Sequence, residues 1–467
     1  MVQGPALLIS FICSMIIMLM LHIRCKVHSF LALLFAAFAI GFAAGMDPSQ
    51  IAYTAIKGFG TTMERVGMVI LAGGIMAVIL ERSGAILVIA ETILRIFGGK
   101  RPVLAMSIIG YIVSIPVMCD AGYMLLASIN KVFVQKTGVP AAAMAVALST
   151  GLFATYTLVP PTPGPVAVAG TLHADMGIVF WVGLITAMPA TWAGYLWVVH
   201  CTGNSTVSIE AAVEPVVEPV VEPMVEPMVE PTVENKDDLA DVNYRLGVVR
   251  PFVSIMTPIV LITLKALANL PGKPLGSGSY KAFVDFTGEP AVALLLGVLV
   301  ALCLLSKLDE ETLNDWVGAG IRETAEIIAV AAAGGMLGTM LTVTNIGQSL
   351  SQGLLHYNIG ICLPFLIAAV LKTMQGSTTV ALVTAAAVVW PQLAVLGLSS
   401  PAGAALTTLA IGAGAMTVSH VNDPYFWIVA RFSGLSTELA LKTHTMATLI
   451  MGLTAMLVVW IMQLVIR

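Results

Sequence analysis

Two short polar stretches interrupt long apolar runs at matching places in the two halves of the chain: Met118-Cys119-Asp120-Ala121-Gly122-Tyr123 and Met374-Gln375-Gly376-Ser377-Thr378-Thr379. Polar, helix-breaking backbone at membrane depth is tolerated only where it is buried in protein or lines a wet cavity. A pair of such breaks at corresponding positions points to the binding site of a carrier. Two further clusters follow them, Thr155 through Pro165 and Ser419-His420-Val421-Asn422-Asp423-Pro424-Tyr425. Their prolines cannot continue a helix, so these segments should unwind and expose backbone carbonyls and helix ends. Hydroxyls, amides and half-helix N-termini suit a small polyhydroxylated anion, which needs many donors and one site of positive potential.

Each group has a plainer reading beside the chemical one. Asp120 and Asp423 are carboxylates at or near membrane depth, where such groups are costly and mark function; a structural role is the alternative. His420 titrates near neutrality and can handle protons, or it pairs locally. Lys372 snorkels to an interface or supplies positive charge near the second tip. Pro160-Pro161-Thr162-Pro163-Gly164-Pro165 also reads as a tight external loop, and Gln375 through Thr379 as small residues that let helices pack closely.

These groups must be positioned by membrane-spanning helices. The 467 residues are 58% hydrophobic and only 10% charged, far below the charge content of soluble domains, which makes the chain an all-α polytopic membrane protein. Spans are expected near 5–22, 28–46, 64–81, 140–158 and 177–199, with an amphipathic stretch at 86–97 and a broken run over 103–133. The second half repeats the plan: spans near 251–268, 289–306, 322–342, 402–419 and 446–466, an interfacial piece near 346–357, and a broken run over 360–397. The first run, Pro5 to Leu21, lacks a basic n-region and is read as a retained span. The six cysteines show no metal-type spacing, and no metal site or cofactor is expected.

Internal similarity supports a duplication. Ala72-Gly73-Gly74 matches Ala333-Gly334-Gly335, and Leu148-Ser149-Thr150 matches Leu406-Thr407-Thr408, at near-constant offset. If each broken run is a re-entrant hairpin, each half crosses five times and the two are inverted repeats, 1–200 and 250–467. Between them, 201–249 carries repeated Val-Glu-Pro units from Val213 to Pro231; proline every fourth residue forbids a helix and makes this a solvated linker. With the N-terminus outside, Arg24, Lys26, Arg82, Arg95, Lys100, Arg101, Lys131 and Lys136 fall inside and only Lys57 and Arg65 outside in the first half. The positive-inside rule therefore places both termini outside and the linker in the cytoplasm.

Ile115-Pro116 through Tyr123, Pro160 through Pro165, Gln375 through Ala381, Ser419 through Asp423, and Leu80-Glu81-Arg82-Ser83-Gly84 resemble the gluconate permease family over nearly the whole chain outside the linker. The resemblance implies a bacterial inner-membrane symporter with two hairpins, a homodimeric scaffold and an elevator-like motion. It implies uptake of gluconate or a related hydroxy-carboxylate, with D-serine carried by some relatives, and H⁺ or Na⁺ as coupling ion. By the same resemblance the substrate residues are Asp120, Gly122, Thr155, Thr157, Thr162, Gly164, Gln375, Gly376, Ser377, Thr378, Thr379 and Asn422. Ion coupling falls to Asp120, His420 and Asp423. Where the family pattern has a bulkier aromatic-Glu first tip and a histidine within the proline motif, this chain has Asp120 and Thr162. No zinc-type His-Glu-x-x-His, Gly-x-Ser-x-Gly or nucleotide-binding motif is present, so an intramembrane enzyme and an ATP-driven pump are disfavoured. A saturable, ion-dependent flux separates a carrier from a channel. No feature points to nucleic acid; the partners are the solute and the bilayer.

Overall fold

The computed structural model describes residues 27–97, 101–203, 249–269, 278–303, 310–344 and 360–466, with isolated positions before 27. The expected first span, the Val-Glu-Pro linker and the interfacial piece at 346–357 lie outside these residues, the first of them nearly wholly. The described residues are helical throughout, with no strand. In the first half they form α1 (Ser29–Ala43), α2 (Pro48–Arg82), α3 (Ala85–Phe97), α4 (Pro102–Val113), α5 (Cys119–Thr137), α6 (Ala141–Leu158), α7 (Pro163–Thr171) and α8 (Met176–Gly203). In the second they form α9 (Val249–Ala268), α10 (Ser279–Thr287), α11 (Pro290–Cys303), α12 (Val317–Val343), α13 (Cys362–Gln375), α14 (Thr378–Val389), α15 (Pro401–Met416), α16 (Pro424–Phe432) and α17 (Thr437–Val465).

α2 is longer than the expected span at 64–81. It runs unbroken for 35 residues through a π turn at Met63–Gly67. Lys57, Glu64 and Arg65 make this stretch look like a loop in sequence. Arg65 is accommodated because its Nη1 donates to Gly170 O at 3.4 Å and lies 3.2 Å from His173 Nε2. The first broken run also parts earlier than expected. The non-helical residues are 114–118, around Pro116, and Cys119 through Gly122 already form the first turn of α5. Proline removes a donor and blocks the preceding turn, whereas Cys-Asp-Ala-Gly can begin a helix.

α4 has 12 residues and so rises about 18 Å, well short of the roughly 30 Å hydrocarbon layer. α13, with 14 residues, rises about 21 Å. Both pack on a partner that unwinds at its end. α4 meets α6 backbone to backbone: a Cβ on Gly151 would fall 2.1 Å from Ser107 O, and one on Gly110 2.4 Å from Leu148 O. α13 meets α15 in the same manner at Gly414, whose Cβ would lie 2.2 Å from Phe365 O. Small residues thus carry the crossings that hold the two broken runs.

α6 and α7 are buried along their whole apolar window and form the centre of the bundle. α8 and α17 pack on each other and on this centre yet expose Ile185, Met188, Trp192, Leu457 and Trp460 on their outer faces. Apolar inside and out, such helices fit a hydrocarbon solvent rather than water.

Candidate functional site

Four breaks in helices build the site. At the second tip, α13 ends on Gln375 and the chain turns at Gly376 with φ +82°. A Cβ there would lie 2.0 Å from Asn422 O, so only glycine lets the tip approach the 417–423 segment. Ser377 then caps α14, its Oγ accepting from Val380 N at 3.4 Å. At the first tip, Met118 precedes α5 without a side-chain cap, and Asp120 occupies the first helical turn, where the helix dipole favours a negative charge.

The two unwound spans supply the facing walls. Between α6 and α7, Thr162 Oγ1 donates to Tyr156 O at 2.9 Å and Val159 O at 2.6 Å, and the Pro160–Pro161 bond is cis. Between α15 and α16, Val418 adopts φ +57°. Ser419 is tied to α17 on both sides: its N donates to Thr448 Oγ1 at 3.0 Å, and its O accepts from Thr445 Oγ1 at 2.6 Å. Those anchors hold a β-branched residue in a conformation it rarely adopts.

The breaks meet through Lys372. Its Nζ is fully buried and donates to Asp423 Oδ2 at 2.6 Å, to Thr378 Oγ1 at 2.9 Å and to Gly376 O. All three ammonium hydrogens are thereby used. Asp423 also caps α16, accepting from Tyr425 N at 3.0 Å, and takes a 2.5 Å bond from Ser419 Oγ. Asn422 Nδ2 donates to Thr373 O at 2.7 Å, and His420 Nε2 lies 3.2 Å from the same carbonyl. Tyr156 OH sits 2.8 Å from Thr379 Oγ1, joining the first unwound span to the second tip. Asp120, whose side chain contacts Cys119 Sγ at 3.6 Å, lies within the electrostatic reach of Asp423 and Lys372.

The residues expected from sequence therefore divide. Asp120, Gln375, Gly376, Ser377, Thr378, Thr379, His420, Asn422 and Asp423 come together around the two tips. Four others are engaged in packing. Thr155 Oγ1 donates to Tyr111 O at 3.0 Å, and Thr157 Oγ1 to Phe153 O at 2.9 Å. A Cβ on Gly122 would meet Leu152 at 3.0 Å, and one on Gly164 would meet Leu382 at 2.5 Å. Thr162 closes its own turn. Two carboxamide oxygens at the tip, Gln375 Oε1 and Asn422 Oδ1, are buried with no hydrogen-bond partner among the described residues. Groups of that kind call for a donor. Among the described residues no His/Cys/Asp/Glu cluster could hold a metal.

Lys372 corrects the snorkelling alternative: its side chain is 0% exposed and points into the protein. His444 escaped the sequence reading altogether. It is fully buried, with Nδ1 3.1 Å from Ser149 Oγ and Nε2 3.1 Å from Ser419 Oγ. Its signal in the sequence is a lone imidazole entering the last apolar run, which intramembrane rules flag by default.

Residues 6–465 match the sequence profile described as GntP family permease. The chain is 31% identical to a gluconate permease of Pseudomonas aeruginosa, with 98% of each protein covered. It is 30% identical to a low-affinity gluconate transporter of Escherichia coli K12, with 94% of each covered. Its fold is similar to that of the YdaH transporter of Alcanivorax borkumensis, with a TM-score of 0.58 at 19% identity, over 89% of this chain and 88% of that one.

Proposed function

The chain belongs to the GntP permease family, is a multi-pass membrane transporter rather than an enzyme, and on that premise we propose that it imports a small hydroxy-carboxylate of the gluconate type together with a proton. The observation that carries this reading is the meeting of the second tip with both unwound spans beside one buried cation, Lys372, with Asp120 of the first tip within its electrostatic reach. The uncapped N-terminus of α5 and the N-terminus of α14 offer positive potential to a carboxylate. Gln375 Oε1 and Asn422 Oδ1 accept from substrate hydroxyls, with Ser377 and Thr379 beside them. Gly122, Thr155, Thr157, Thr162 and Gly164 shape the walls that hold these groups in place. Asp120 and Asp423 are the carboxylates that take up the coupling proton, and His420 holds the 417–423 segment against α13.

A proton is favoured over Na⁺ because the oxygen cage suited to an alkali cation at the second tip, Gly376 O, Thr378 Oγ1 and Asp423 Oδ2, is already filled by the Lys372 ammonium. In this reading the helix pairs α4–α5 and α13–α14 are re-entrant hairpins within inverted repeats. They ride with the central helices in an elevator motion, in a homodimer of the bacterial inner membrane with outside termini. A second reading rests on Asp120: with a thiol as its side-chain donor among the described residues, it can pair with the ammonium of a small amino acid such as D-serine.

Uptake of labelled gluconate by proteoliposomes tests the proposal. Accumulation under an inward proton gradient in sodium-free buffer, abolished by a protonophore, is the expected result. Accumulation that requires an inward sodium gradient would refute proton coupling. Uptake of labelled D-serine, with none of labelled gluconate, would favour the second reading.

A further inference from the structure

A continuous chain of proton-bearing groups runs from α6 to the second tip: Ser149, His444, Ser419, Asp423 and Lys372. The steps are 3.1 Å, 3.1 Å, 2.5 Å and 2.6 Å. Its donor directions follow from chemistry. Lys372 and Ser419 both donate to the Asp423 carboxylate, so Ser419 Oγ has only its lone pairs left and must accept from His444 Nε2–H. In the neutral ring Nδ1 then accepts from the Ser149 hydroxyl. The groups facing the imidazole are few. α6 contributes Ser149, and the 417–423 segment contributes Ser419. α16 contributes the rings of Tyr425 and Phe426, centred 5.7 Å and 6.0 Å away. α5 contributes Tyr123, behind Tyr425 at 6.1 Å. Asp423 and Lys372 are the charges that reach it.

We propose that His444 is the store of the coupling proton, that it passes this proton to Asp423 through Ser419 Oγ, and that the handover opens Lys372 to the substrate carboxylate. The proposal rests on the proton-coupled reading above. A proton arriving at His444 gives an imidazolium whose Nδ1–H donates to Ser149 Oγ. In the handover the His444 Nε2–H bond breaks as a new Ser419 Oγ–H bond forms. The original Ser419 O–H bond breaks as Asp423 Oδ2–H forms. The ring is left neutral with its hydrogen on Nδ1, one proton has moved, and no electrons are exchanged. Neutral Asp423 no longer balances the ammonium of Lys372. The second tip then carries an uncompensated positive charge inside protein, where an unpaired charge is costly. An incoming carboxylate restores the balance, so one proton and one anion enter together. Without the proton, the anion would meet a cation already paired.

The experiment compares two fluxes in proteoliposomes for the exchanged solute, gluconate or D-serine: equilibrium exchange, which needs no net proton movement, and accumulation driven by a proton gradient. Ser419→Ala cuts the relay while leaving His444 in place, Ser419→Thr restores the hydroxyl, and His444→Gln keeps an amide donor but cannot titrate. The ratio of accumulation to exchange should fall about tenfold or more in S419A and H444Q, within the span of ordinary coupling energies, and stay within about threefold of wild type in S419T. Equal ratios in all four proteins would overturn the relay. So would a parallel loss of both fluxes that S419T does not rescue, the signature of a structural role. Wild-type protein that exchanges solute but ignores the proton gradient would remove the proton-coupled reading itself, and the relay with it.

Discussion

Replacing Lys372 with Met removes one partner of an ion pair whose side chains are 0% and 3% exposed. Methionine keeps the apolar stem and adapts to the space, so the change isolates the ammonium. It leaves Asp423 Oδ2 with only the Ser419 hydroxyl, and it strips Gly376 O and Thr378 Oγ1 of their shared donor. Breaking a buried pair from one side destabilises by about 3–5 kcal/mol, because the other charge stays buried. Asp423 keeps its bonds from Ser419 Oγ and Tyr425 N, which places the expected loss near the lower end, about 3 kcal/mol. Asp423→Asn alone strands the ammonium and should lose a similar amount. The double variant removes both charges, and replacing a whole buried pair by neutral groups of similar volume is often close to neutral. Its loss should therefore be no larger than that of either single variant. Unfolding in mixed micelles, followed by tryptophan fluorescence, gives the three values; Trp427, whose Nε1 donates to Val421 O at 2.8 Å, reports on the segment concerned. Additive losses, or a K372M protein as stable as wild type, would refute a pair that acts as one unit. All three variants should fail to accumulate gluconate, since each removes either the cation or its proton-controlled partner.

The second tip was legible because its cause is local, whereas the first is expected at Cys119–Gly122, one turn past the break at 114–118. Pro116 and Gly376 break helices by their own covalent structure, and the Pro160 and Pro424 neighbourhoods end spans for the same reason. What binds the tips together is non-local and leaves no spacing to read. Lys372 finds Asp423 across 51 positions, Tyr156 finds Thr379 across 223, and His444 finds Ser149 across 295. A lysine in an apolar run looks the same in sequence whether it reaches outward to headgroups or inward to a carboxylate. Only the packing of α13 on α15, set by Gly414, decides between them. The threonines show the same limit: a hydroxyl in a helix can turn back to a carbonyl one turn earlier, as Thr157 does, which commits its hydrogen and leaves its lone pairs as acceptors.

Asp120→Asn should abolish accumulation driven by a proton gradient while the protein still reaches the membrane, because the first-tip carboxylate is one of the two seats proposed for the proton; retained concentrative uptake would move that role to Asp423 alone. Gly376→Ala tests the close approach of the second tip against a built-in control. Gly376 and Gly397 both hold positive φ, +82° and +69°; an added Cβ costs roughly 1–2 kcal/mol in the left-handed helical region, and more at Gly376, whose ψ of −38° lies outside it. A Cβ added at Gly397 would meet nothing within 4 Å among the described residues beyond its chain neighbours, whereas at Gly376 the new carbon would fall 2.0 Å from Asn422 O and 2.7 Å from Asn422 C. Those are backbone atoms of the segment that carries Asp423, so they cannot swing aside as a side-chain end would. The tip must lift instead, and in doing so it loosens Lys372 from Gly376 O and Asn422 from Thr373 O. G397A should show the strain cost only and transport normally. G376A should lose about 2 kcal/mol or more beyond that, with transport falling in step, as one buried hydrogen bond from a charged group and one exposed bond are weakened. Equal stability and equal uptake in the two variants would mean that the tip does not rest on the 417–423 segment when the carrier works.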